Sequence, residues 1–227
     1  KREKRVPVGY IPTGTTNDFA NSLHIPKDLL SAADSAVNGK PFHCDVGKFN
    51  EDYFVYVAAF GLFTDVSYQT DQDLKNILGL FDIPSYHVRV TFDGEEIEDD
   101  FIFCSVTNSR SMGGFRNMFG HEVEFDDGEF EATLIKSPKN ALELQGILSA
   151  LMRKQKDSQY MYNIKAKEIR FESLEEIPWT LDGEFGGEFD DVTIQNLQQA
   201  LCIMVPEEKA SELIHHPLRK ESENLKK

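Results

Sequence analysis

The chain has 227 residues, 40% of them hydrophobic and 11% aromatic with 17 Phe, and carries a formal net charge of -15 with a pI near 4.8. That is enough apolar material for a full core, in one large domain or two small ones, and it excludes global disorder. The acidic balance argues against nucleic acid as a partner, because that binding rests on Lys and Arg neutralising phosphates.

The chain opens on a basic run, Lys1-Arg2-Glu3-Lys4-Arg5, instead of Met, and reads as a fragment of a longer protein. Val6, Val8, Tyr10 and Ile11 suit a buried strand, Pro12 and Gly14 break it, and Thr15 or Thr16 can cap a helix carrying Phe19, Ala20 and Leu23. A strand running through a Gly/Thr loop into a helix presents free N–H groups and a helix dipole to an anion. Asp18 in the first turn repels phosphate unless a divalent cation lies between them, so the loop hints at a magnesium nucleotide. The same pattern also occurs in α/β proteins that bind nothing there.

A second helical pattern, Leu29, Leu30, Ala33 and Val37, ends at Asn38-Gly39 with Pro41 beyond. From Phe42 the texture changes to short apolar or alternating runs separated by Gly, Asp and Asn. They lie at 42–49, 53–60, 87–92, 99–108, 122–125, 129–135, 168–172, 191–195 and 200–205, the spacing of a β-sandwich or barrel. One helix interrupts them, with Ser137 as cap, Pro138 at its first position, and Leu144, Ile147, Leu148 and Leu151 at helical spacing; it is expected to cover the sandwich. The fold class is therefore α+β. Residues 1–41 are the end of an N-terminal α/β nucleotide-binding domain, 42–206 an antiparallel β-sandwich with a covering helix, and 207–227 a helical turn and frayed tail.

Cys44, Cys104 and Cys202 are widely spaced without a CxxC pair, which suggests neither a disulfide framework nor a zinc site and fits a reducing cytoplasm. The longest nearly apolar run, 53–63, is about half of what a spanning helix needs, and no signal peptide opens the chain, so a soluble protein is expected.

Asp-Gly-Glu occurs three times, and Asp-Gly is a hairpin turn pair because Gly accepts positive φ. Asp93-Gly94-Glu95 follows Arg89-Val90-Thr91-Phe92 and needs no function beyond the turn. Asp127-Gly128-Glu129 lies among carboxylates at alternate positions, which suit either a hard cation or an acidic hairpin rim. Asp182-Gly183-Glu184 follows the sole Trp, Trp179, and precedes Gly186-Gly187; a carboxylate held there can take a proton from an alcohol, or the segment is an ordinary hairpin.

Taken in order, Pro12-Thr13-Gly14-Thr15-Thr16-Asn17-Asp18-Phe19-Ala20, Cys44-Asp45-Val46-Gly47 with the 53–61 run, Asn108 with Gly113-Gly114, Asp126-Asp127-Gly128 and Leu181-Asp182-Gly183-Glu184 resemble the soluble diacylglycerol kinase catalytic-domain family. These are bacterial lipid kinases, relatives of sphingosine and ceramide kinases, and the resemblance covers nearly all of 6–206. It implies an ATP- and Mg2+-dependent transfer of the γ-phosphoryl group to a diacylglycerol-like lipid hydroxyl, in a cleft between two domains. On that model Gly14, Thr15, Thr16 and Asn17 lie at the nucleotide, and Asp18 and Asp45 engage catalytic magnesium directly or through water. Glu184 is the general base with Asp182 beside it. Asp127 with Glu124 and Glu129 matches a structural magnesium site, where relatives commonly carry Lys at the position of Glu124.

The partners implied are ATP and a lipid alcohol, with transient contact to a membrane surface, room for a homodimer and no nucleic acid. The location implied is cytoplasmic, peripheral at the membrane. The basic 1–5 and 219–227 ends offset the acidic surface there. Family kinases also carry a Gly-Gly-Asp-Gly-Thr loop upstream, and no such run occurs in the 227 residues. The expectation is therefore that this fragment alone has little kinase activity. The rival reading is a non-catalytic acidic β-sandwich that binds a divalent cation or apolar ligand, and the many Phe residues are expected in the core before any acyl groove.

Overall fold

The structure, a computed structural model, describes residues 6–62, 64, 83–109, 111–112, 115–116, 123–153, 155 and 158–213. The basic 1–5 end, the 219–227 tail and Gly113-Gly114 lie outside them. No helix of the described residues is long and apolar enough to cross a membrane.

The N-terminal segment departs from expectation. Val8 forms a single parallel bridge to Ile203, its N–H donating to the Cys202 carbonyl and its carbonyl accepting from Met204 N–H. With this single bridge among the described residues, Val6, Val8 and Ile11 are exposed instead of buried. Helix α1 is short, Asp18–Ser22, and its N-cap is Asn17 in the left-handed region (φ 55°) with no side-chain cap bond, so neither Thr15 nor Thr16 caps it. The Asn17 amide instead donates back to the Gly14 carbonyl at 2.6 Å, curling the loop on itself. Helix α2, Leu29–Asn38, starts where Asp28 accepts from Ser31 N–H at 2.9 Å. It buries Ala32 and Ser35 while Leu29, Leu30 and Val37 face outward. The small face wins because the helix lies so close that a Cβ on Gly9 would meet the Ala36 Cβ at 2.8 Å.

Among the described residues eleven strands follow: β1 (Lys40–Phe49), β2 (Asp52–Phe54), β3 (Val57–Gly61), β4 (Tyr86–Phe92), β5 (Glu95–Thr107), the short pair β6 (Ser111–Met112) and β7 (Phe115–Arg116), β8 (Phe130–Lys136), β9 (Met161–Ala166), β10 (Glu168–Leu181) and β11 (Glu184–Val205). Helix α3 (Ala141–Met152) lies between β8 and β9, and α4 (Ala210–Leu213) ends the described chain. All but β6 and β7 form one nine-stranded antiparallel sheet, in the order β2-β1-β11-β10-β3-β5-β8-β9 with β4 off this path against β10 and β5. It folds over because the long strands change partners: β10 pairs β4 through Ile169–Ser173 and β3 through Trp179–Leu181, and β5 pairs β4 with its first half and β3 with its second. This is the expected mostly-β sandwich. Asp93-Gly94 and Asp182-Gly183 each place both turn residues at positive φ, the geometry that suits a two-residue hairpin.

The two runs read at 191–195 and 200–205 are one strand, β11, and the described part of the expected strand at 122–125, residues 123–125, is irregular loop. Strand β9 has no counterpart in the expectation. The 53–60 run breaks at Val55 and Tyr56, whose N–H groups are drawn away from the ladder by Asp182. Helix α3 covers the sheet as expected, with Ile147, Ala150 and Leu151 packed on Val57, Ile102, Phe103 and Ile135. It begins later, however: Asn140 Oδ1 accepts from Leu142 and Glu143 N–H, both at 3.0 Å, in place of a Ser137 cap.

Inside the fold Trp179 (1% exposed) stands edge-on to Phe49, Phe60 and Phe171, so most of the Phe residues are core. A second cluster joins Phe19, Ala20, Leu23 and Ile25 of the N-terminal segment to Phe42, Phe125, Ile203 and Val205, which fixes α1 against the sheet. The three cysteines are free and buried.

Candidate functional site

The break between β2 and β3 is where the N-terminal loop meets the sheet. Asp182 sits at an exposed turn, but its carboxylate points inward and accepts three backbone N–H groups, from Val55 (2.9 Å), Tyr56 (2.8 Å) and Val57 (3.0 Å). Withdrawal from water raises its pKa, against the pull of these three donors. Asp182 thus holds the bend, and the bend aims Tyr56. The Tyr56 hydroxyl donates to Asp18 Oδ2 at 2.9 Å. Asp18 is buried at the start of α1.

A continuous path therefore runs from the Gly14–Asn17 loop through Asp18 and Tyr56 to the Asp182 turn. Thr107 Oγ1 and Asn108 N–H both donate to the Tyr56 carbonyl (2.9 and 3.1 Å), and Ser22 and Ser109 hydroxyls meet at 2.8 Å, closing the seam from the β5 side. Glu184 lies two residues beyond Asp182, opposite Leu181 in the hairpin. It is exposed and makes no hydrogen bond or ion pair among the described residues. Gly14 and Thr15 are also exposed, so the loop and Glu184 are the accessible ends of the path.

Asp45 is elsewhere in character. It is fully buried, and its carboxylate accepts from Gly128 N–H (2.7 Å), Gln199 N–H (2.7 Å) and the Asn196 amide (3.1 Å). Burial raises its pKa although these donors favour the charged form. Both oxygens are taken up by protein donors, so Asp45 does not fit direct metal coordination; it ties the Asp127 loop to an irregularity in β11 where Gln199 has φ 52°. Asp18, the other acidic side chain expected at catalytic magnesium, is buried at the end of the loop beside Tyr56.

Of the residues expected at a structural magnesium, Asp127 has both carboxylate oxygens engaged within the chain. Asp127 Oδ1 accepts from Glu129 N–H (3.1 Å), and its Oδ2 takes Lys165 Nζ at 2.6 Å. The same ammonium lies 3.3 Å from Glu131 Oε1 and 3.9 Å from Glu129 Oε2. Among the described residues no group of three or more His, Cys, Asp or Glu is arranged to hold a metal. Burial pushes the Glu131 carboxyl up to about 7; burial pulls the Lys165 ammonium down, but the carboxylates of Asp127 and Glu131 outweigh it and hold the ammonium above its ordinary value.

Sequence reasoning missed Tyr56, Glu131, Lys165, Asn196 and Gln199. Tyr56 lay inside an apolar run, and Glu131 and Lys165 become cross-strand partners only once β8 pairs β9.

The family model of the diacylglycerol kinase catalytic domain matches residues 1–49. The diacylglycerol kinase of Staphylococcus carnosus (strain TM300) is 33% identical over 225 residues, covering 93% of this chain and 72% of that protein. That of Bacillus subtilis (strain 168) is 31% identical over 223 residues, covering 93% and 73%. A crystal structure from Bacillus anthracis str. Sterne, described as a candidate diacylglycerol kinase, superposes with a TM-score of 0.73 at 26% identity, over 86% of this chain and 67% of that one.

Proposed function

This chain belongs to the diacylglycerol kinase family, and from that premise we propose that it supplies the acceptor side of an ATP-dependent lipid kinase. The observation that supports this reading best is the path from Asp18 through Tyr56 to the Asp182 turn, because it couples a nucleotide-type loop to a solvent-facing carboxylate.

On this reading Gly14, Thr15, Thr16 and Asn17 meet the nucleotide, with the curled loop presenting backbone N–H groups to phosphate. Glu184 accepts the proton of a diacylglycerol-like hydroxyl as its oxygen bonds to the γ-phosphorus and the bond to ADP breaks. An open carboxylate suits that task, since it must be reached by a substrate presented at a membrane surface. Asp182 acts by geometry: clamped on three N–H groups, it sets the hairpin that carries Glu184 and the bend that carries Tyr56. A divalent cation arriving with ATP would supply charge neutralisation at the phosphate oxygens. Asp18 is the residue that would engage it, directly or through water, while Asp45 holds the frame from behind.

Replacing Glu184 by Gln tests the assignment, in a protein carrying a Gly-Gly-Asp-Gly-Thr loop as well as these residues. Transfer of phosphate from ATP to a lipid alcohol is expected to fall by roughly 10²–10⁴-fold, the range for loss of a positioned base. Melting is expected to stay put, as the side chain is exposed. Unchanged transfer removes Glu184 from the mechanism. Residues 1–227 alone, lacking that loop, are expected to turn over poorly, and robust turnover by them refutes this part of the reading.

A further inference from the structure

The acidic loop ahead of β8 is the place where the chain's own residues disagree with a bound metal. Asp127 has both oxygens engaged, one by Glu129 N–H and one by Lys165 Nζ, and Glu131 approaches the same ammonium from directly across the strand pair. The Asp127 and Glu131 side chains are 8% and 4% exposed against 33% for Lys165, so the carboxylate side of the contact is withdrawn from water while the ammonium reaches it from the surface. A magnesium ion demands about six oxygens at about 2.0–2.1 Å. To take Asp127 Oδ2 it would have to displace the ammonium, held there at 2.6 Å, and set that cation beside a dication.

We infer that Lys165 is an internal cation that takes the place of a divalent ion at the Asp127 loop, so that the loop keeps its shape without metal. The consequence reaches further than the loop itself. Gly128, the next residue, donates its N–H to Asp45 at 2.7 Å, and Asp45 in turn receives Gln199 N–H and the Asn108 amide on its carbonyl. The ammonium therefore anchors, through Asp127 and Gly128, the same frame that carries Asn108 to the Tyr56 carbonyl. The inference does not rest on the kinase reading, since it concerns which cation holds a loop and not what is phosphorylated.

The test is a titration of the 227-residue chain with Mn2+ as a paramagnetic probe, read at the individual amides of Asp127, Gly128, Glu129 and Glu131, with Mg2+ competing. The wild type is expected to show no Mg2+-reversible broadening at these amides. Residue-by-residue reading separates them from any ion arriving at Asp18. Broadening of the Gly128 amide that Mg2+ reverses, lost on Asp127→Asn, overturns the inference. In Lys165→Met the stem is kept and the charge removed, so the carboxylates are expected to recruit the ion: Gly128 broadens, and the unfolding midpoint rises with Mg2+. A folded Lys165→Met without either response also overturns it. If that variant does not fold, the wild-type titration decides alone.

Discussion

Replacing Glu131 by Gln changes how stability depends on pH, and the structure fixes the sign. Glu131 is 3% exposed, and burial lifts its carboxyl to about 7 although Lys165 pulls it down. Its ordinary value is 4.5. Between those two the unfolded chain has released a proton that the folded chain still holds, so stability is fully present below about 4.5 and is lost as pH rises toward about 7. At about 1.36 kcal/mol per pH unit the whole loss is about 3 kcal/mol, of which about 2 falls between about pH 5.5 and 8, clear of the pI. Gln cannot ionise, so its curve lacks this component whatever constant offset the substitution brings.

The assay is urea unfolding followed by fluorescence of Trp179, the sole tryptophan and buried among Phe rings, at a series of pH values for both proteins. The variant is expected to gain about 2 kcal/mol on the wild type across that window. Parallel stability curves refute the reasoning, since they mean that Glu131 ionises alike in both states.

Tyr56→Phe removes the hydroxyl that reaches Asp18 and leaves the three N–H bonds to Asp182 in place. A hydrogen bond to a charged group contributes about 1.5–3 kcal/mol, so lipid phosphorylation is expected to fall roughly ten- to hundredfold in kcat while the hairpin persists; an unaltered kcat disconnects Tyr56 from the reaction. At Gly47 an added Cβ would fall 2.1 Å from Phe54 Cε1, and Phe54 is held by Phe130 with ring centroids 5.5 Å apart. Gly47→Ala is expected to cost about 1–3 kcal/mol in urea unfolding, and a neutral result means that Phe54 can repack.

How much of this was legible depends on where each residue finds its partners. The Asp93-Gly94 and Asp182-Gly183 hairpins, the end of α2 at Asn38-Gly39, and the core positions of β4, β5 and β8 follow from neighbours a few residues away. Turn chemistry, capping and alternation are local. The ordered motifs likewise placed Asp18, Asp182 and Glu184 in one family of kinases. Strands β2 and β3 were misread as one because the break is imposed from Asp182, 126 residues beyond Tyr56.

The sequence by itself determined an α+β chain built on an antiparallel β-sandwich, its acidic charge, two hairpin turns and the kinase family. Tertiary structure alone decided what each carboxylate does. Asp45 is sealed by Gln199, 154 residues away; Asp127 is paired with Lys165, 38 residues on; Asp182 is spent on backbone N–H groups. The physical reason is that a carboxylate's role depends on which donors and how much water surround it. Strand pairing sets both, bringing those donors from far along the chain.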